Sequence, residues 1–407
     1  MESPVADGLR ALQLRPGHPS FLDLPWRLPL SRWREGGARI VDVQRGLSRH
    51  EVQFVGYGSA IYAVKEMPPL LAEREYDTLL LMETRRLPAV TAVGHARVQA
   101  VGADETSVLL TRYLESSLPF RTLFQNPGLE RYRERLLDAM AGLLVRLHLA
   151  GFYWGDCSLS NTLFRRDAGE LAAYLVDAET ADHEDVLGDG VRRQDLVILE
   201  ENVAGDLSDL EAMTGQAGLL DAFDTGPRIR ERYEQLWAEI SREELIATGE
   251  HWRIQERIRK LNALGFSVGE IELEATGEGD RLRMRTMVTD RDYHRHEFHN
   301  LTGLVAGEKQ AELMLNEIRE LRATLASRQG RSVALSEAAF HWQSERWEPV
   351  LRALAPAGVG GEDAAELYCQ LLEHKWFLSE QARRDIGFEA AIEDYGRRFG
   401  AGGAPRA

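Results

Sequence analysis

Apolar and polar residues alternate in three short runs near the start of the chain, at residues 38–43, 51–55 and 60–64. Each run is β-branched or aromatic and bounded by turn residues, which predicts three strands. The first connection, residues 44–50, is a loop containing Gly46 with cationic flanks. The second, Gly56-Tyr57-Gly58-Ser59, is a tight glycine turn of hairpin type. Ahead of them, residues 1–37 are rich in Pro, Leu and Arg with no clean period, and predict an extended lead-in with room for one short helix. Pro68 and Pro69 break the third strand. A helix follows over residues 70–84, with apolar positions at 71, 76, 79, 80 and 82. Two more strands are predicted at 92–100 and 107–111. A long amphipathic helix over 130–150 then carries Leu136, Leu137, Met140, Leu143, Leu144 and Leu147 on one face and stops at Gly151. The stretch 151–161 reads as a loop, and residues 163–164 and 173–176 as a small hairpin.

Beyond Arg192 the pattern is mainly helical, at 191–204 and 228–264. It changes at Gly265, where residues 266–275 and 281–288 alternate on either side of Thr276-Gly277-Glu278-Gly279-Asp280 and predict a β-hairpin. Helix returns over 305–327 and from 330 to 399, interrupted around 355–361, and residues 400–407 read as a disordered tail. No internal repeat is visible. The order predicts an α+β chain: antiparallel strands first, helices after, then a smaller hairpin-containing and helical region.

Composition narrows the function classes. The 407 residues are 44% apolar and 28% charged, ordinary for a globular chain that stays in water. No apolar run reaches the roughly 18 residues of a membrane span, and the start lacks the basic-then-apolar pattern of a signal peptide. Two cysteines, Cys157 and Cys369, make neither a disulfide framework nor a zinc site. These features give a cytoplasmic expectation. A net charge of −16 argues against general affinity for nucleic acid or anionic membrane. Only four lysines occur (Lys65, Lys260, Lys309 and Lys375), and Lys65 is the only one before residue 260. It stands either where a compact ammonium is required and a guanidinium fork fails, or as a chance survivor of a drift to arginine.

The candidate chemistry sits in the loop. Asp156 and Asn161 lie five positions apart, and Asp177 follows an apolar run. That triplet is the skeleton of a phosphoryl-transfer site, in which one carboxylate orients the attacking hydroxyl while an amide and a second carboxylate hold the metal ions on the nucleotide phosphates.

The order of strands and helices, Lys65 in Ala63-Val64-Lys65, and the loop Gly155-Asp156-Cys157-Ser158-Leu159-Ser160-Asn161 with distal Asp177 together resemble the protein-kinase-like superfamily. The likeness is nearest to its bacterial lipopolysaccharide (Kdo-type) kinase branch. The whole chain resembles a bacterial family that joins such a domain to a domain of unknown function. The resemblance implies a two-lobed kinase-like domain at 38–225 after the lead-in 1–37, a helix–hairpin–helix domain at 226–330, a helical region at 331–399 and the tail 400–407. It implies that Lys65 contacts the nucleotide phosphates and pairs with a helix glutamate, Glu75 or, second, Glu73. Gly46 and Ser48 are assigned to the phosphates, because Gly56 and Gly58 lie too close to Lys65 to leave room for the intervening strands. Arg112-Tyr113-Leu114 becomes the hinge, with backbone at Tyr113 and Leu114 holding adenine. Asp156 becomes the catalytic carboxylate, Asn161 and Asp177 the metal ligands, and Asp195 the anchor of the loop backbone, or else an ordinary first-turn acid of a helix.

Two departures stand out. Trp154-Gly155 replaces the His-Arg usual before the catalytic Asp, and Ala178-Glu179 replaces the usual Phe-Gly, adding a carboxylate near the metal. Cys157 is expected to pack rather than react. His294, His296 and His299 match no standard metal spacing, and Trp342, Trp347, Trp376 and Phe377 read as core. The expectation is an ATP- and Mg²⁺-dependent phosphotransferase acting on an unidentified hydroxyl, with a catalytically silent kinase-like module as the alternative. The C-terminal region is left to a protein partner or a second copy.

Overall fold

The computed structural model describes residues 8–43, 50–102, 104–126, 129, 132–215, 221–247, 250–275, 281–329, 331–354 and 364–399. The chain forms two compact units, one of residues Met1–Arg165 with Ala173–Glu234, the other of Arg166–Ala172 with Gln235–Ala407.

The first unit begins with strand β1 (Leu9–Leu14), followed by β2 (Val52–Tyr57), β3 (Ala60–Met67), helix α1 (Leu71–Thr84), β4 (Ala92–Gln99) and β5 (Glu105–Arg112). These strands make one antiparallel sheet in the order β1-β4-β5-β3-β2. The two-residue period decides which side chains face the core. In β3, Tyr62 and Val64 are buried against Phe21, Trp26 and Trp33, and Lys65 between Val64 and Glu66 points the other way. Gly58, at φ 62°, makes the tight β2–β3 turn that the sequence predicts.

The lead-in differs from expectation. β1 lies within it and adds an edge strand against β4, with a bulge between Leu9 and Ala11. That bulge breaks the alternation by which a strand is recognised. Conversely, residues 38–43 do not form a strand of the sheet. Ile40 bridges Val55, supported by Val41 N–H to Phe54 and Gly56 N–H to Arg39.

Next come β6 (Ser117–Pro119), α2 (Phe120–Gln125), the long α3 (Tyr132–Leu149) and β7 (Phe152–Tyr153). The hairpin β8 (Thr162–Asp167) and β9 (Glu170–Leu175) pairs with β6, and β10 (Asp182–His183) pairs with β7. α4 (Asp189–Thr214) and α5 (Ala222–Ser241) follow. On α3 the apolar stripe from Leu136 to Leu147 is buried as its period predicts. α4 runs well past the 191–204 expected and ends at Gly215 in the left-handed conformation.

The second unit holds β11 (Glu244–Ala247), α6 (His251–Ala263), β12 (Ser267–Ala275) and β13 (Arg281–Asp290), with sheet order β11-β13-β12. The β12–β13 hairpin is the one read from the sequence; β11 was not foreseen. Helices α7 (Tyr293–Thr302), α8 (Glu308–Gln329), α9 (Leu335–Trp342), α10 (Glu348–Leu354), α11 (Ala364–Ala382) and α12 (Gly387–Phe399) complete it. Trp342, Trp347 and Tyr368 form its aromatic centre, with Trp342 Nε1 and the Tyr368 hydroxyl both donating to Glu317. Trp376 and Phe377, expected in the core, are 64% and 42% exposed.

Residues 166–172, the tip of the β8–β9 hairpin, belong to this second unit. Asp167 is buried and accepts the N–H groups of Lys309 and Gln310 at 3.1 and 2.9 Å, capping the first turn of α8. Glu366 accepts Ala168 N–H and the Gln310 amide, both at 2.9 Å. The overall class is α+β, as expected, and no helix among the described residues is long and apolar enough to cross a membrane.

Candidate functional site

Lys65 and Glu75 meet because two periods coincide. The strand period turns Lys65 away from the Val64 side, and α1 buries Ala72, Glu75, Tyr76, Leu79 and Met82 along one stripe. Glu75 lies on that stripe; Glu73 is exposed. Lys65 Nζ donates to Glu75 Oε2 and to Asp177 Oδ2, each at 2.9 Å, and Glu179 Oε2 lies 3.7 Å away. The second Glu75 oxygen accepts Ala178 N–H at 3.0 Å. Burial works against the Lys65 ammonium, but the neighbouring Glu75 and Asp177 charges outweigh it and hold its pKa above the ordinary lysine value. Burial pushes the Glu75 carboxyl up, with Lys65 opposing.

The loop from Trp154 to Asn161 hangs on α4. Asp195, fully buried, accepts Trp154 N–H at 2.7 Å and Gly155 N–H at 2.8 Å. It also meets His148 Nε2 at 3.1 Å. Burial lowers the His148 pKa, with the neighbouring Asp195 carboxylate opposing. Arg192 donates to the Tyr233 hydroxyl at 3.0 Å, and that hydroxyl lies 2.8 Å from His148 Nδ1. Gly155 adopts φ 77°, where a Cβ would lie 3.0 Å from Thr180 O. The Trp154-Gly155 departure thus has a local reason: this turn needs glycine, and Trp154 is buried with Nε1 on Asp177 O at 3.2 Å.

Asp156 accepts from two amides. Asn161 Nδ2 donates to its Oδ2 at 3.0 Å and to its backbone oxygen at 3.1 Å; Asn202 Nδ2 donates to its Oδ1 at 2.9 Å and to Cys157 O at 3.2 Å. Asp206 accepts Ser160 N–H at 3.0 Å and the Ser160 hydroxyl. Burial pushes the Asp206 carboxyl up, with the Ser160 hydroxyl opposing. The Cys157 thiol is fully buried and pushed well up by that burial, which suits packing and not nucleophilic chemistry.

Carboxylate oxygens of Glu75, Asp177 and Glu179 approach within 4.8 Å of one another. Asn161 Nδ2 faces the Asp156 carboxylate, and the three carboxylates are the donors that stand together. This is an all-oxygen donor set of the kind a hard divalent ion such as Mg²⁺ takes, and the Lys65 ammonium already balances part of its charge. The residues fit such an ion.

In the stretch expected to form the hinge, Tyr113 N–H donates to Ile61 O at 2.9 Å and Leu114 O accepts the Ser117 hydroxyl at 2.6 Å, so both residues are held by their backbones. Gly46 and Ser48 lie outside the described residues. The histidine cluster is dispersed: His294 Nδ1 pairs with Glu308 at 2.7 Å and His299 Nδ1 with Leu304 O at 3.1 Å. Sequence reasoning missed Asn202 and Asp206, which no local motif marks. It also missed His50, whose Nε2 meets Glu179 Oε2 at 2.8 Å.

No curated protein shows significant similarity to the chain. Among solved structures, one described as WaaP in complex with acyl carrier protein shares 17% identity, covering 62% of this chain and 99% of that one, at a TM-score of 0.37. An aminoglycoside-3'-phosphotransferase of type VIII shares 15% identity, covering 52% and 99%, at 0.30. Residues 235–399 match a domain of unknown function, DUF4032. The segment that carries Lys65, Glu75, Asp156, Asn161 and Asp177, residues 59–216, matches the lipopolysaccharide kinase (Kdo/WaaP) family.

Proposed function

We propose that the chain is a phosphotransferase that moves the γ-phosphoryl group of ATP to a hydroxyl group with the help of Mg²⁺. The observation that carries this reading is the convergence of Lys65, Glu75 and Asp177 from β3, α1 and the stretch beyond β9 at 2.9 Å contacts. A structural ion pair needs two partners; a lysine shared between two carboxylates beside a third is suited to exchange one of them for phosphate. Lys65 would then bind the α/β-phosphates, with Glu75 fixing its direction. Asp177, Glu179 and Asn161 would hold the ion, which supplies neutralisation of phosphate charge. Tyr113 and Leu114 would flank the base. Asp156 orients the acceptor hydroxyl. The acceptor O–P bond forms as the bond from the γ-phosphorus to the bridging oxygen breaks, ADP leaves, and the hydroxyl proton passes to Asp156 and then to solvent.

Two buried free thiols and a requirement for ATP favour action in the cytoplasm. A second reading, a module that binds nucleotide without transfer, draws on the His50–Glu179 contact, which engages a carboxylate of the cation cluster. Thermal shift with ATP and Mg²⁺ followed by turnover separates the two. The phosphotransferase gives a shift that Asp177→Ala abolishes and Asp156→Ala retains, with turnover lost in Asp156→Ala. Wild-type turnover no higher than that of Asp156→Ala, across a broad set of acceptors, would leave only the silent module.

A further inference from the structure

α4 meets the loop at three points along one stripe. Asp195, Asn202 and Asp206 are related by seven and eleven residues, close to two and three turns of a helix. The outer two hold the loop by its frame: Asp195 through the Trp154 and Gly155 amides, Asp206 through Ser160. The middle one reaches the Asp156 carboxylate itself.

A carboxylate tied at one oxygen still swings about χ2, which is a broad, two-fold torsion. Asn161 ties Oδ2 and Asn202 ties Oδ1, so the plane of the group is fixed from both sides. Asn202 also donates to Cys157 O, which fixes its own amide against the loop and leaves no ambiguity over which end faces Asp156. The two ties differ in what else they do. Asn161 belongs to the loop and is a candidate cation ligand, whereas Asn202 stands on the helix and has no such second task. Cation loading can therefore draw on Asn161 while Asn202 keeps the carboxylate in place.

We propose that Asn202 is a positioning residue of the phosphotransfer site, locking the carboxylate plane of Asp156 so that the acceptor hydroxyl meets it in one orientation. It acts through Asp156 and does not touch the nucleotide. This rests on the phosphotransferase reading. Misplacing a reacting group by about 1 Å costs on the order of 100-fold, so loss of this tie sets the scale of the effect.

The test uses the full chain with ATP and Mg²⁺ and compares wild type, Asn202→Leu, Asn202→Asp and Asp156→Ala. Asn202→Leu should lower kcat about 10- to 100-fold while KM for ATP and the ATP-induced thermal shift stay within about twofold. Asn202→Asp, the same shape without a donor, should be at least as slow, because it sets a second carboxyl against Asp156 in place of the amide. An unchanged kcat in Asn202→Leu, with Asp156→Ala inactive, overturns the inference and leaves the phosphotransferase standing. Full turnover in Asp156→Ala removes the phosphotransferase reading itself. A crystal structure of Asn202→Leu reads the placement without any turnover: a rotated Asp156 carboxylate supports the role, and an unmoved one overturns it. Parallel loss of kcat and of the ATP-induced shift overturns it as well, because that is general damage to the fold.

Discussion

At the residue scale, the Lys65–Glu75 contact shows what burial does to a charge. The Glu75 side chain is fully buried and Lys65 nearly so. Replacing one partner leaves the other charge without compensation, which typically costs about 3–5 kcal/mol, whereas replacing both with apolar or neutral groups costs far less. Lys65→Met should therefore destabilise the first unit by about 3 kcal/mol, and the double variant Lys65→Met/Glu75→Leu should regain most of that in urea denaturation. Additive losses would mean the pair is not coupled. Both variants should lose the ATP-induced thermal shift, since stability can be restored without the ammonium but phosphate binding cannot. Gly155 gives a second test. Alanine there faces both a positive φ and Thr180 O, so Gly155→Ala should cost about 1–3 kcal/mol and slow turnover. Lys65, Asp156, Asn161 and Asp177 were legible because their spacing is local or their residue type is rare in this chain. Asn202 was not: a lone asparagine within a helix carries no pattern until the loop it grips is known.

At the element scale, α4 is the template for the loop. Asp195 satisfies the buried Trp154 N–H and the part-buried Gly155 N–H and meets the His148 ring, so Asp195→Ala leaves those three partners unpaired at about 1–3 kcal/mol each. A total loss of at least about 3 kcal/mol is expected in chemical denaturation. Asp195→Asn, which keeps one acceptor oxygen, should lose less than Asp195→Ala; equal losses would mean that the retained oxygen pairs with neither amide. Periodicity found the long elements well. Helices α1, α3 and α8 carry a buried 3.6-residue stripe, and strands β2 to β5 and the β12–β13 hairpin stand in the short runs between turn residues, although β5 is buried at every position from Ser107 to Thr111. The misses have physical causes. β1 is an edge strand with a bulge and is buried strongly only at Leu9. β11 spans Glu244–Ala247, too short for alternation to stand out. Residues 38–43 have strand-like composition but a single bridge, because sheet membership depends on a partner that composition does not specify.

At the scale of the whole molecule, residues 166–172 set the terms. A linear reading gives each stretch of chain to the domain around it, yet this hairpin tip belongs to the second unit, five residues after Asn161 and five before Asp177. No local pattern announces that, since its partners, Lys309, Gln310 and Glu366, stand more than 140 positions away. The contact has a pH signature. Burial pushes the Asp167 carboxyl from 3.8 up to about 6, with the α8 amides opposing. A raised carboxyl means that the folded state holds its proton where the unfolded chain has released it. The contribution is thus complete below about pH 4 and is lost as pH rises through about 6. At 1.36 kcal/mol per unit, the loss is about 3 kcal/mol. Asp167→Asn cannot ionise. Between pH 4 and 7 wild type should therefore lose about 3 kcal/mol more than the variant, read as the difference between two urea-denaturation series. Parallel pH curves would show that Asp167 keeps an ordinary carboxyl. Gly307→Ala offers an independent check at any pH, because its Cβ would fall 2.4 Å from Asp167 Oδ1. It should push the carboxylate off the α8 amides, which favour its charged form, so a carboxyl that stays buried should lose more stability between pH 4 and 7 than wild type does, and a flatter curve would mean that the displaced group has reached solvent.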